Sequence, residues 1–394
     1  MQAFEGIRVL DFTHVYAGPF ASYQLAVMGA EVIKIESPQN LDMMRTDGAV
    51  SERTRNGLAV GYLANNQGKK SICLDLTREE GREIARRLIE SADVLIENYT
   101  HGLERYGLGS EQALEINPQL IYCSLSGFGD DNVFSGRPAY DPVIQAFSGM
   151  MSVNGEAGQQ RIRVGPPLID YGTGAQAAFA IASALYQSTR TGKGQVINVN
   201  MLDAALVMMS PLVLTAIDEN ESPARTGNLT RRPGYGVFDC SDDAIMVGAF
   251  TFEQHQRLFS SLKLEPGFIE HNSGDEASLF RNADCLRGEM QQCFEKRDTL
   301  YWETLLNEND VPAARVRDLY EMLNQEQLQR SPDSQFQRLQ DRSLTAPIAA
   351  FSYANDGPEF DDYCGRAGED TDTILADIGI SSEQIKVLRE ASVI

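Results

Sequence analysis

The stretch "GIRVLDFTHVYAGPFASYQLAVMGAEVIKIE" (residues 6–36) decides the fold. Its start, "GIRVLDFT", is a short apolar run of strand type. "PFASYQLAVMGA" carries apolar residues at helical spacing with Pro19 near the first turn, and "EVIKIE" is again a strand. This is one β-α-β unit, and the pattern repeats downstream. Strands are expected at 71–76, 93–99, 120–129 and 195–201, with helices at 77–92, near 110–116, at 175–192 and at 202–214. Strands and helices alternating at this length predict an α/β fold whose large lobe is a Rossmann-like, doubly wound parallel sheet.

Periodicity fails at "IDENESPARTGNLTRRPGYGVF" (217–238), where proline, glycine and charge accumulate. The expected organisation is a large domain whose N-terminal part is 1–216, a linker at 217–238, a small α+β domain at 239–325, and a C-terminal part at 326–394 that returns to the large domain. Within the small domain "DDAIMVGAF" reads as a strand, and 252–262, 284–295 and 300–308 read as amphipathic helices.

Glu36, ending the second strand, stands where a dinucleotide-binding fold keeps its ribose-binding acid. The phosphate loop is missing: "DFTHVYAGPF" holds one glycine followed by proline and cannot form the G-x-G-x-x-G turn. The 394 residues carry a formal net charge of -22, which excludes a general basic field for nucleic acid or an anionic membrane. Six scattered cysteines and four isolated histidines offer neither a disulfide framework nor metal-ligand spacing. With no targeting segment and no run of about 20 apolar residues, a cytoplasmic protein is expected.

One carboxylate calls for an account. "RVGPPLIDYGTGAQAA" (163–178) puts Asp170 at the end of an apolar run, before a glycine-punctuated turn that opens an alanine-rich helix. Asp170 could cap that helix, but Thr173 could cap it equally well and leave Asp170 free to point elsewhere.

At five places in order the sequence resembles the class III CoA-transferases, the CaiB/BaiF or formyl-CoA transferase family. These are 6–38, "NNQGKKSICLDL" (65–76), "ADVLIENYTHGLERYGLG" (92–109), the Asp170 segment through "TGKGQVINVNMLDAAL" (191–206), and "GEDTDTILADIGISSEQIKVL" (368–388). The resemblance implies an interlocked homodimer with no permanently bound cofactor, taking coenzyme A as a substrate in the form of an acyl-CoA thioester, together with a small carboxylic acid. It places the nucleophilic aspartate at Asp170 and the CoA contacts at His14, Val15, Asn98 and Arg105, with Arg137 close to a basic position of the family. Gly172 and Gly174 would let backbone N–H groups approach a tetrahedral oxyanion.

Each assignment has a plainer alternative: Arg105 a solvated charge, His14 a packed strand-end histidine, Lys69 and Lys70 a basic turn before a strand. Two departures from the formyl-CoA transferase pattern concern the acyl group. Tyr16 stands where that branch has glutamine, and "VGAFTFEQ" (247–254) stands where it has a glycine-rich lid. Tyr16 is expected to face the acyl group or to be an ordinary core tyrosine. Asp141 in "RPAYDPVIQAFSG" is expected to support the nucleophile or to be a turn residue before Pro142. An α-methylacyl-CoA racemase of the same fold is the second reading. It needs a proton-transfer pair, typically His-Asp, where this chain has Tyr140 and Asp141, and tyrosine is a poor base near pH 7. A catalytically silent acyl-CoA binding protein, the third reading, would be expected to lack the nucleophile.

Overall fold

The computed structural model describes residues 1–99, 102–130, 132–323, 349–359, 361 and 363–394. Residues 326–348 of the expected C-terminal part therefore lie outside the described residues. The chain divides into two compact units: one of residues 1–150, 163–221 and the described residues after 348, the other of 151–162 and 222–323.

The first unit is built on six parallel strands: β1 (Arg8–Phe12), β2 (Glu31–Glu36), β3 (Lys69–Cys73), β4 (Val94–Glu97), β5 (Ile121–Ser126) and β6 (Gln195–Asn200). Their order is β3-β2-β1-β4-β5-β6, so the sheet reverses direction between β1 and β4. In such a sheet the crevice beyond the carboxyl ends of those two strands is the natural ligand position. β1 to β4 are buried along nearly their whole length, as a parallel sheet covered on both faces demands. One face is closed by the helices Glu79–Glu90, Thr371–Asp377 and Ser382–Glu390, whose Ile84, Leu88, Ile374 and Ile385 meet Leu10, Ile33 and Ile72. The other is closed by the helices Ala17–Ala26 and Leu168–Thr191 through Ala21, Leu25, Ala177 and Ile181.

One local reading is corrected here. Lys69 and Lys70 are not a turn: β3 begins at Lys69, whose buried ammonium reaches Asp11, Ser22, Asn66 and the Pro19 carbonyl at 2.8–2.9 Å. The ribose role already denied to Glu36 by the missing phosphate loop has a second obstacle, because its buried carboxylate is paired with Arg45 at 2.5 Å. An internal ion pair consumes the carboxylate that a nucleotide would need.

The second unit carries a three-stranded antiparallel sheet of β7 (Tyr235–Asp239), β8 (Ala244–Gly248) and β9 (Ala313–Arg315). β7 begins inside the stretch expected to be a linker and ends one residue beyond it. Its alternation is interrupted by glycine, which hid a strand stabilised by pairing with β8. Helices Phe252–Leu262, Ala283–Phe294 and Thr299–Glu308 cover this sheet, with Phe238, Leu258, Phe294 and Trp302 in the core. The "VGAFTFEQ" segment is the end of β8 followed by a capping box, in which Thr251 and Gln254 satisfy each other's backbone N–H groups at the start of the helix Phe252–Leu262.

Candidate active site

Beyond the ends of β1, β4 and β5 opens a cavity of about 720 Å³, within the range of small-molecule sites. His14, Val15, Tyr16, Asn98, Arg137 and Asp170 all line it. Residues that the sequence spreads over more than 150 positions thus meet at the switch point of the sheet.

Asp170 is the third residue of a helix that runs from Leu168 to Thr191, not of a turn preceding one. Thr173 does not cap it; its hydroxyl donates to the Ile169 carbonyl at 2.7 Å inside the helix. The cap comes from Asp141, at the start of the helix Asp141–Phe147: one carboxylate oxygen accepts the N–H groups of Ile169 (2.7 Å) and Asp170 (3.1 Å). The N–H groups of Leu168 and Tyr171 go to the carbonyls of Pro166 and Pro167. Pro167 has no N–H and the Tyr171 bond is the first of the helical ladder, so the three donors that this helix start leaves over, on Leu168, Ile169 and Asp170, are all used before the Asp170 carboxylate is reached.

Asp170 is 8% exposed, and among the described residues its carboxylate accepts no hydrogen bond. Burial, reinforced by the charge of Asp141, pushes it up to about 7. A helix N-terminus ordinarily favours an ionised and weakly nucleophilic carboxylate. Here the cap carboxylate absorbs that effect, and burial keeps the Asp170 carboxylate basic.

Gly172 and Gly174 cannot present N–H groups to an oxyanion, because both lie in the helical ladder. They provide room instead. A Cβ on Gly172 would lie 2.5 Å from the Met208 sulfur, and one on Gly174 would lie 2.5 Å from the Ala17 carbonyl oxygen. Gly174 thereby brings the two site helices into backbone contact.

The loop after β1 carries Val15 at φ +71°, where a β-branched residue costs on the order of 1–3 kcal/mol. Asn98 clamps the preceding residue in both directions: its carbonyl accepts the His14 N–H and its amide donates to the His14 carbonyl, each at 2.9 Å. The Asn98 side chain is thus occupied in holding the loop. His14 packs edge-on against Tyr99, with ring centroids 5.5 Å apart, and burial and the neighbouring Lys34 charge push its imidazole down. Tyr16 stacks near Tyr171 on the wall that carries Asp170. Arg137 sits over Phe128 and Phe134. Arg105 is not among the lining residues of this cavity. It borders a smaller one of about 150 Å³ that shares Asn40 and Tyr99 with it, and its guanidinium lies 4.6 Å from the centre of the Tyr106 ring.

Sequence reasoning missed Glu97. It lines the cavity from the end of β4, accepts from the Ser124 hydroxyl (2.5 Å) and the Tyr99 N–H (2.9 Å), and is pushed up to about 7 by burial. Its position directly before Asn98 at a strand end was the available signal.

A switch-point cleft that holds a buried carboxylate at a helix start, in place of a glycine-rich phosphate loop, sets this Rossmann-type sheet apart from a dinucleotide-binding one. The chain matches the model of CoA-transferase family III over residues 4–371 and belongs to that family. It is 34% identical over 334 residues to the succinate–glutarate CoA-transferase of Agrobacterium fabrum, with 82% of each chain covered. It is 34% identical over 332 residues to the acetyl-CoA:oxalate CoA-transferase of Acetobacter aceti, again with 82% of each covered. Among solved structures it is similar to a CaiB/BaiF family protein from Brucella suis, 29% identical with a TM-score of 0.81 over 96% of this chain and 99% of that one. The protein is a class III CoA-transferase, and CoA thioesters are its substrates.

Proposed function

We propose that the enzyme moves CoA from an acyl-CoA to a small carboxylic acid through covalent intermediates on Asp170. A carboxylate oxygen of Asp170 attacks the thioester carbonyl, the C–S bond breaks, and CoA leaves as thiolate from a mixed aspartyl anhydride. The thiolate attacks the Asp170 carbonyl of that anhydride, expels the donor acid as carboxylate and leaves an aspartyl-CoA thioester. An acceptor carboxylate repeats the two steps in reverse, and Asp170 is regenerated. No net proton transfer is required. The observation that carries this reading is the Asp170 carboxylate, buried on the cavity wall and, among the described residues, free of hydrogen-bond donors.

His14, Val15, Asn98, Arg105 and Arg137 are proposed to bind CoA, the two arginines meeting its phosphates and offsetting a net charge of -22. The racemase reading loses further support, because the Asp141 carboxylate is occupied by two N–H groups and Gln145 rather than free for proton transfer. The relatives named for succinate, glutarate and oxalate make small dicarboxylic acids the first acceptors to try. The purified enzyme is incubated with succinyl-CoA or acetyl-CoA and a panel of acids including these three. New acyl-CoA masses are expected for at least one pair; thioester hydrolysis with no exchange across the panel would overturn the reading.

We further propose that the chain works as a homodimer with interlocked large domains, in a reducing, cytoplasmic setting consistent with its six free cysteines. Among the described residues no helix is long and apolar enough to cross a membrane, and the apolar pair Met201–Met208 and Ser210–Glu219 is bent by 78°. Phe179, Val207, Leu214 and Ile217 are nonetheless exposed, and a second copy would cover them. Sedimentation at micromolar concentration should give twice the chain mass. A monomer would refute the dimer.

A further inference from the structure

The loop that turns from β1 into the helix Ala17–Ala26 is held by side chains at every backbone polar group from Thr13 N to Val15 N. The Thr13 N–H donates to Asp11 at 2.9 Å, and the Thr13 carbonyl accepts from the Lys34 ammonium at 2.6 Å. Asn98 takes both backbone groups of His14. The Val15 N–H donates to one oxygen of Asp42 at 3.2 Å, and the same oxygen accepts the Met44 N–H at 3.0 Å. The other Asp42 oxygen lies 3.1 Å from the Lys34 ammonium, and both side chains are completely buried. Glu36 in turn accepts the Asp42 N–H at 3.0 Å. A strained left-handed valine persists only where its surroundings over-determine it. Here the surroundings are a buried ion pair whose two members each touch the loop.

We propose that Asp42, braced by Lys34, is a positioning residue for CoA transfer. By holding Val15 left-handed it sets Tyr16 and Ala17 on the wall that faces Asp170. The coupling to the nucleophile is direct, because the Ala17 carbonyl packs against Gly174, one turn along the helix that carries Asp170. Neither Asp42 nor Lys34 is among the residues lining the cavity, so they act through the loop and not on the substrate. The inference rests on the proposed role of Asp170.

Asp42→Asn tests it. An amide has one oxygen and no charge, so it cannot both accept the Val15 N–H and pair with Lys34: its NH₂ group must face either the Lys34 ammonium or the Val15 N–H. Val15 is then released toward negative φ. The expected result is a fall in kcat of at least about tenfold, part of what a 1 Å misplacement costs, with a smaller change in the calorimetric Kd for CoA, because Val15 is one of five proposed CoA contacts. Glycine needs no restraint to adopt positive φ, so adding Val15→Gly to Asp42→Asn should recover several-fold of the lost kcat.

The same comparison in Lys34→Met/Asp42→Asn leaves no unpaired buried charge, so it stands in if the single variant fails to fold. Unchanged kcat in the folded Asp42→Asn protein, or no recovery on adding Val15→Gly in either background, would overturn the proposal. Full transfer activity in Asp170→Asn would instead overturn the reading of the site itself, so the two failures are distinguishable.

Discussion

Asp170→Asn should abolish CoA transfer, with an expected fall of several orders of magnitude, while the protein still folds and binds CoA. Asparagine is nearly isosteric, sits well in a first helical turn, and leaves the Asp141 cap untouched because that cap holds backbone N–H groups. What it lacks is the oxygen nucleophile, and an amide forms no anhydride. Wild-type enzyme incubated with acyl-CoA alone should acquire an adduct on the peptide containing Asp170, removed by hydroxylamine or reduced by borohydride.

Stability supplies an independent signature. A carboxyl pushed from its ordinary 3.8 up to about 7 binds its proton more tightly in the folded chain than in the unfolded one. It therefore subtracts stability progressively as pH rises from about 4 to about 7, and the loss is complete above that. The interval corresponds to roughly 4 kcal/mol, or about 5 °C in Tm for a chain of this size. The Tm of Asp170→Asn should exceed that of the parent by an amount that grows across this window and then levels off. Substantial residual turnover, with no adduct in the parent, would return Asp170 to a capping role.

The sheet was legible wherever local signals and tertiary packing agree. β2 is strongly β-branched and apolar between a glycine turn and a proline, and it runs over the expected Glu31–Glu36. The helix Phe252–Leu262 begins and ends where expected because Thr251 and Gln254 form a capping box within the sequence itself. Reading failed where the decisive partner is distant in the chain. The helix start at Leu168 was hidden because its cap, Asp141, lies 27 residues away, and a local rule then favoured Thr173 and the glycines. The pair Lys69 and Lys70 suggests a basic turn before a strand because lysine is seldom buried; the acceptors that let Lys69 start a buried strand come from β1 and two helices. The candidate nucleophile and the loop residues His14 to Tyr16 were legible through family resemblance. The groups that tune and brace them, Glu97, Lys34 and Asp42, were not, because their burial is a product of the fold.

Asp141→Asn should lower kcat by about 10²-fold and also move the pH dependence of what remains. The carboxylate of Asp141 anchors a chain of directional hydrogen bonds. Gln145 donates to it at 2.5 Å while its own carbonyl accepts the Val164 N–H at 2.8 Å, and the other Asp141 oxygen accepts from Ile169 and Asp170. Both Asp141 oxygens face donors, so an amide must turn its NH₂ group toward a donor at one end. Rotating Gln145 to compensate would set its NH₂ group against the Val164 N–H. The start of the nucleophile's helix must then shift, and a displacement near 1 Å accounts for a loss of this size.

The sign of the pH effect follows from charge. In the parent, kcat/KM should rise with pH through about 7 as Asp170 ionises, because only the carboxylate attacks. Burial is the larger cause of its high value and persists in the variant, whereas the repulsion from Asp141 is removed. The rising limb should therefore move to lower pH, so that the variant loses less activity than the parent on going from pH 8 to pH 6. Glu97 titrates in the same range and the same cavity, and Glu97→Gln should leave the limb where it is. A limb that stays in place in Asp141→Asn would show that Asp141 supports the helix without tuning the nucleophile, and a limb that moves in Glu97→Gln would assign the titration to Glu97 instead.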